Sequence, residues 1–122
     1  MKRKILIVED NVGLSQIQKD WLSRAGYDAV TAMNEPIARS LIRRMQFDLI
    51  LSDVRLPEGD GISLLEWLCK EKKDIPFIIT TEFVSVPDVV RTIKLGARDY
   101  LPKPVHREHL LELAEDVFHP VA

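Results

Sequence analysis

Short apolar runs that end in acidic or turn-forming residues are the feature that most constrains the fold of this chain. The run at 49–51 is continuously apolar, is too short for a helix, and leads through Ser52 to Asp53. A segment rich in glycine and proline follows at 57–61, which indicates a loop. Such a run is typical of a strand buried on both faces of a parallel sheet. Ligands collect outside the carboxyl ends of such strands, where Asp53 is predicted to lie.

Similar apolar runs alternate along the chain with stretches whose apolar residues recur at helical spacing. Strands are predicted at 4–8, 27–32, 49–53, 75–81 and 97–101. Helices with an apolar stripe are predicted within 12–25, 36–45, 62–68, 86–95 and 110–117. Alternating strands and helices need right-handed crossovers, which give a parallel sheet with helices on both faces. We therefore predict a doubly wound α/β fold.

Capping residues mark several of the predicted helix ends. Asn34 is suited to cap the second helix, with Pro36 in its first turn. Ser85, followed three residues later by Asp88, resembles a capping box at the start of the fourth helix. Gly96 is a natural stop for that helix. These signals divide the chain into separate strand and helix units.

Composition excludes several functional classes. With 122 residues, 46% of them hydrophobic, we expect residues 1–122 to form one domain with a proper core. The net charge of −2 leaves no basic excess, so we expect no nucleic acid to bind through this domain. The single Cys69 cannot form an internal disulfide, and no apolar run has signal or membrane-spanning length. We therefore expect a cytoplasmic setting and no membrane contact.

Acidic, hydroxyl and amine side chains lie at or just after the carboxyl ends of the predicted strands. They are Glu9, Asp10, Asp53, Thr81 and Lys103. Because the carboxyl ends of parallel strands share one edge of the sheet, three carboxylates are expected to crowd together there. A hard divalent cation with oxygen ligands relieves their repulsion, and Mg²⁺ suits a site with few carboxylates and several waters. Lys103 would reduce the charge further, and Thr81 could donate to an anion bound beside the metal.

Together these motifs resemble the receiver domain of bacterial response regulators. The resemblance covers essentially the whole chain. It rests on Val8-Glu9-Asp10, on Asp53 followed by Pro57 and Gly61, on Thr81, and on the Tyr-Leu-Pro-Lys-Pro run at 100–104. It implies a CheY-like (βα)5 fold of the flavodoxin type, a three-layer sandwich whose parallel strands have the order 2-1-3-4-5.

The resemblance also implies a phosphoacceptor site for a two-component system. Asp53 would receive a phosphoryl group from a histidine kinase or a histidine phosphotransfer protein. Asp10 and Asp53 would bind Mg²⁺ directly, together with the backbone carbonyl of Arg55, and Glu9 would act through water. The protein would therefore be a phosphorylated signalling domain and not an enzyme in the ordinary sense.

The remaining implied roles concern the phosphoryl group and the response to it. Thr81 and Lys103 would bind the phosphoryl oxygens. Thr81 and Tyr100 would then change the surface of the last two helices and the strand between them. That surface would support a homodimer or control a transcription-regulating output. Self-dephosphorylation is implied too, and Arg55 and Phe83, which by resemblance flank the path of the attacking water, predict that it is slow.

Other families with a related architecture fit less well. A haloacid dehalogenase-type hydrolase needs a second acid two residues after its nucleophile, but Arg55 occupies that position. A flavodoxin-type FMN module has a loop rich in Ser, Thr and Gly after its first strand, whereas Glu9 and Asp10 would repel phosphate. The closer alternative is a receiver-like interaction module that works without phosphorylation, because Glu82 stands where the family normally has a small residue. We expect the Glu82 side chain to face solvent, since burying an unpaired carboxylate is costly.

Overall fold

Five strands alternate with five helices, which confirms the predicted α/β fold. The computed structural model describes residues 2–82 and 86–120, apart from the side chains of residues 86 and 89. The strands are β1 (Lys4–Val8), β2 (Asp28–Ala32), β3 (Leu49–Asp53), β4 (Phe77–Thr81) and β5 (Asp99–Pro102). The helices are α1 (Val12–Arg24), α2 (Glu35–Arg44), α3 (Gly61–Lys70), α4 (Val86–Lys94) and α5 (Arg107–Phe118).

All four strand pairings are parallel, and the sheet has the order β2-β1-β3-β4-β5. The chain therefore builds the sheet outward from the central strands β1 and β3, adding β2 on one side and then β4 and β5 on the other. Val8 pairs with Ser52, and Asp53 pairs with Thr80, so these strands end almost level with one another. This register brings the residues that follow β1, β3 and β4 to one edge of the sheet, as the sequence predicts.

The core lies on both faces of the sheet. Every residue of β3 and of β4 is buried. Leu6 and Ile50 pack with residues of α2 and α3 on one face, whereas Ile5 and Ile78 pack with residues of α1 and α5 on the other. Because the central strands are enclosed on both sides, their carboxyl ends are held in fixed positions.

Short polar side chains cap three of the helices. Asn11 Oδ1 accepts from the Leu14 N–H group at 3.0 Å, and Asn34 Oδ1 accepts from the Ile37 N–H group at 2.9 Å. The predicted cap at Asn34 is thus confirmed. Two positions named from the sequence, the capping residue Ser85 and Phe83, lie outside the described residues. Within the described part of the chain, no helix combines the length and the apolar character needed to span a bilayer.

Candidate functional site

Three carboxylates meet at the edge of the sheet. Glu9 and Asp10 directly follow β1, and Asp53 is the last residue of β3. One carboxylate oxygen from each of the three lies within 4.8 Å of the others. Glu9 is 4% exposed and Asp53 is 8% exposed, whereas Asp10 is open to solvent. Solvent therefore reaches the carboxylate cluster from the side of Asp10.

Lys103 lies between two of these carboxylates. Its Nζ atom donates to Asp53 Oδ2 at 2.5 Å and to Glu9 Oε1 at 2.7 Å. The backbone holds the side chain in place, because the Lys103 N–H group donates to the Thr81 carbonyl at 2.8 Å and so extends the pairing of β4 with β5. One ammonium group thus faces three carboxylates, and negative charge remains in excess.

Burial and charge act in opposite directions on these groups. Burial raises the pKa of Glu9 above its ordinary value, although the hydrogen bond from Lys103 and the Asn11 N–H group partly offset this. Burial alone would lower the pKa of Lys103, but its hydrogen bonds to Asp53 and Glu9 raise that pKa overall. The ammonium group therefore stays charged at neutral pH.

The loop after Asp53 turns back across the end of β3. The Arg55 N–H group donates to Asp53 Oδ1 at 3.2 Å, and Arg55 pairs with Asp60 in an isolated antiparallel bridge. The Gly61 N–H group donates to the Val54 carbonyl at 2.9 Å. A Cβ atom on Gly61 would clash with the backbone carbonyl oxygen of Asp53, so this close approach requires glycine.

Thr81 completes the edge. It is the last residue of β4 and is buried, and Glu82 follows it with an exposed side chain, in agreement with the expected orientation. These residues line a cleft of about 290 Å³. Its lining comprises Glu9, Asp10, Asn11, Leu14, Asp53, Arg55, Thr81, Glu82 and Lys103. Among the described residues that the sequence assigns to the site, all but Tyr100 therefore line this one cleft.

The donor set of this cleft suits a hard divalent cation. All three candidate side chains offer carboxylate oxygens, and their ligand atoms are near enough to share one ion. Oxygen ligands favour Mg²⁺ or Ca²⁺ over softer metals, and one exposed carboxylate leaves room for water ligands. The residues present therefore fit the magnesium site predicted from the sequence.

Comparison with known proteins identifies the family. The family model described as the response regulator receiver domain matches residues 5–115. The chain belongs to the receiver domain family. It is 35% identical over 112 residues to the response regulator protein PilR of Pseudomonas aeruginosa, covering 92% of this chain and 25% of PilR. It is 39% identical over 114 residues to the transcriptional regulatory protein ZraR of Salmonella typhimurium, covering 93% of this chain and 26% of ZraR.

Solved receiver structures agree with this assignment. The non-phosphorylated receiver domain of HemR from Leptospira biflexa has a TM-score of 0.91 and 36% identity, with 99% of this chain and 98% of that one covered. The family, the CheY-like fold and the strand order predicted from sequence are therefore confirmed. This receiver domain spans about a quarter of the length of PilR and of ZraR.

Tyr100 lies apart from the acidic cleft of the receiver domain. It sits in β5, is half-buried, and packs against the core on the side of α2 and α3. The neighbouring helix α4 exposes Val90 and Ile93, which are 45% and 49% accessible. Tyr100 is thus a β5 residue that lies partly in the core and partly in solvent, and its role as a switch residue stays a prediction.

Sequence reasoning missed two features of the receiver site. Asn11 lines the cleft and its N–H group lies 3.3 Å from Glu9 Oε2; its position just before an apolar helical stripe was the available signal. A second cleft, of about 320 Å³, lies beside the first and shares Leu14, Glu82 and Lys103 with it. Its other lining residues are Ile17, Gln18, Trp21, Pro104 and Val105. This apolar cleft joins α1 to the segment after β5, so no local pattern predicts it.

Proposed function

We propose that this receiver domain, spanning residues 1–122, accepts a phosphoryl group on Asp53 from a histidine kinase or a histidine phosphotransfer protein. One observation carries the proposal: the Asp53 carboxylate is held at the end of β3 beside Lys103 and within ligand distance of two further carboxylates. A carboxylate so placed has a metal site on one side and an ammonium group on the other. Both are required to offset charge during phosphoryl transfer.

Asp10 and Asp53 would hold Mg²⁺ directly, with the backbone carbonyl of Arg55, and Glu9 would contribute through water. The three carboxylates have the oxygen chemistry and spacing that this requires. Bound Mg²⁺ would supply positive charge that offsets the charge of the phosphoryl oxygens. Lys103 already lies between Glu9 and Asp53, so it keeps the carboxylates paired when no phosphoryl group is bound.

In the transfer, a carboxylate oxygen of Asp53 forms a bond to phosphorus while the bond from phosphorus to the donor's imidazole nitrogen breaks. The electron pair of that bond stays with the imidazole, which leaves as the neutral base or takes a proton from water. Lys103 and the Thr81 hydroxyl group would then bind the phosphoryl oxygens. Attack by water on the phosphorus atom would later break its bond to the Asp53 oxygen, releasing inorganic phosphate and restoring the carboxylate, which makes the signal temporary.

The apolar cleft beside the site suits the phosphodonor protein. Leu14, Ile17, Trp21 and Val105 line it, and it shares Lys103 with the acidic cleft. An apolar helix docked there would bring a phosphohistidine close to Asp53 while excluding water from the site. We therefore infer that the kinase or phosphotransfer protein docks on α1 and on the segment after β5, in the cytoplasm and without membrane contact.

The response to phosphorylation would lie on the face formed by α4, β5 and α5. Val90 and Ile93 are exposed there beside Arg91 and Lys94. A shift of Thr81 toward the phosphoryl group and of Tyr100 inward would change this face, and with it homodimer formation. The relative ZraR is named a transcriptional regulatory protein, which supports control of transcription as the output, with no nucleic acid bound by this domain itself.

The second candidate is a receiver-like interaction module that works without phosphorylation. Glu82 favours it, since a carboxylate follows Thr81 and lines both clefts. The Glu82 side chain is exposed, however, so water and salt screen its charge from the site. The phosphoacceptor function is therefore the better supported of the two.

Intact-mass measurement after incubation with acetyl phosphate separates these candidates. The phosphoacceptor predicts a gain of one phosphoryl group with Mg²⁺ and none with EDTA. Asp10→Asn should need more Mg²⁺ for the same gain because it loses a direct ligand. A protein that takes up no phosphate with Mg²⁺, from acetyl phosphate or from a phosphorylated kinase, would instead be the interaction module.

A further inference from the structure

Glu35 is a buried carboxylate outside the acidic cleft. It is the first residue of α2 and is only 4% exposed. Its Oε1 atom accepts from the Asp60 N–H group at 3.0 Å, and its Oε2 atom accepts from the Ser63 hydroxyl group at 3.1 Å. Its own N–H group donates to the Glu58 carbonyl at 3.2 Å. A residue of α2 is therefore bonded at two points to the segment between β3 and α3 and at a third to the first turn of α3.

That segment begins directly after Asp53 and contains Arg55. Its two limbs pair with each other, through the bridge between Arg55 and Asp60 and the bond from Gly61 to Val54. The far limb is also fixed to α3, because Asp60 Oδ1 accepts from the Ser63 N–H group at 2.6 Å. Glu35 thus holds the limb that contains Asp60, and the Arg55 backbone pairs with that limb.

The surroundings of Glu35 hold its side chain in place. Arg39, one turn along α2, forms an ion pair with it, and the Arg39 guanidinium lies 5.1 Å from the centre of the Trp67 ring. Such pairing offsets the cost of burying a carboxylate. Gly59 has a φ of 73°, and a Cβ atom on it would lie 2.7 Å from Glu35 Cβ. Glycine at 59 is therefore needed for the loop to approach Glu35 this closely.

We propose that Glu35 is a positioning residue for the loop at 54–60, and through it for the Arg55 carbonyl group that the divalent cation would use. The inference rests on the proposed metal site. Glu35 acts as a hydrogen-bond acceptor and has no contact with the cation. The loop then keeps one arrangement whether or not the ion is present, so binding does not have to order it.

Calorimetric titration with Mg²⁺ tests this role in four proteins: the parent, Glu35→Ala, Glu35→Gln and Ile42→Val. Glu35→Ala removes both acceptors, and we expect affinity about three- to tenfold weaker, less than for loss of a direct hydrogen-bond partner of a ligand. Glu35→Gln keeps a carbonyl oxygen for the Asp60 N–H group, and we expect affinity within about twofold of the parent. Ile42→Val destabilises the core two turns further along α2, and its affinity should equal that of the parent.

Each other pattern overturns the proposal. Parent affinity in Glu35→Ala means that the loop does not depend on Glu35. Equal weakening in Glu35→Gln means that the charge acts at a distance, and equal weakening in Ile42→Val means that overall stability is responsible. If the parent itself binds no Mg²⁺, the proposed function fails together with this inference. The other outcomes leave the proposed function standing and overturn only the role of Glu35. Should Glu35→Ala not fold, Gly59→Ala replaces it, because the added methyl group displaces Glu35 from the loop, and it should weaken binding similarly.

Discussion

The Lys103 ammonium group lies 2.5 Å from a carboxylate oxygen of Asp53, although 50 residues separate the two in sequence. The sheet creates this contact. Asp53 ends β3, Lys103 follows β5, and β4 lies between them and holds Lys103 through the Thr81 carbonyl group. A substitution at the end of β3, β4 or β5 should therefore alter how positive and negative charges are balanced in the acidic cleft.

Lys103→Met should make Mg²⁺ bind more tightly while slowing phosphoryl transfer. The ammonium group now neutralises Glu9 and Asp53, and its removal takes a positive charge away from the incoming cation. We expect an affinity gain of roughly three- to tenfold in calorimetric titration at low salt. Lys94→Met, on the exposed surface of α4, is the matched control and should bind Mg²⁺ like the parent. An unchanged or weaker affinity in Lys103→Met would contradict the charge argument.

Glu82→Ala should accept phosphate from acetyl phosphate faster than the parent. An exposed carboxylate at the mouth of the cleft repels an anionic donor, so a gain of about twofold is expected at low salt and less at high salt. Rates are read from intact-mass time courses. Glu112→Ala removes an exposed carboxylate from α5 instead and should leave the rate unchanged. A slower Glu82→Ala variant would favour the phosphate-independent module.

Beryllofluoride, a mimic of the phosphoryl group, should shift the parent toward a dimer in sedimentation experiments. The exposed Ile93 of α4 lies on the face proposed to respond. Ile93→Ser should reduce this shift, because a dimer interface at that face would bury its side chain. Met33→Ser removes a similarly exposed apolar side chain just after β2, the edge strand opposite β5, and should dimerise normally. Equal mass and shape with and without beryllofluoride would count against this output.

Alkaline pH should destabilise the protein partly through Tyr27. Burial raises the pKa of the Tyr27 phenol above its ordinary value, and the charge of Glu115 adds to this. Because the folded-state pKa is the higher one, its contribution to stability is complete below the unfolded pKa and is lost as pH rises through the folded pKa. Urea unfolding at about pH 8 and about pH 10.5 should show a smaller fall in the free energy of unfolding for Tyr27→Phe than for the parent. An equal fall in both would refute the assignment.

Much of the fold could be predicted because local patterns reflect it directly. Leu49, Ile50 and Leu51 form a run with no polar face, and the structure buries all three. The Asn34 cap likewise depends on neighbours only three residues away. The start of α5 at Arg107 was harder to predict. Its first turn is exposed and polar, so it lengthens the helix without adding to the apolar stripe on which the prediction depends.

The candidate site also has a part that could be predicted from the sequence and a part that could not. Residues such as Asp10 and Thr81 could be grouped from sequence because each lies at or just after the end of a strand, and parallel strands end at one edge. The bond from Asp60 to Glu35 could not, because it joins residues 25 apart through a loop whose path depends on Gly59. The switch role of Tyr100 stays a prediction, and its position outside the cleft depends on packing against the core, which no local pattern shows.

The most direct test of the account is the chemical identity of the phosphorylated residue. The parent and Asp53→Asn are incubated with phosphoramidate and Mg²⁺, reduced with borohydride, which converts an aspartyl phosphate to homoserine, and mapped by peptide mass spectrometry. We predict homoserine at position 53 of the parent and no modified residue in Asp53→Asn. A phosphoryl group carried by Asp53→Asn in the same yield as the parent would contradict the assignment of Asp53 as the acceptor.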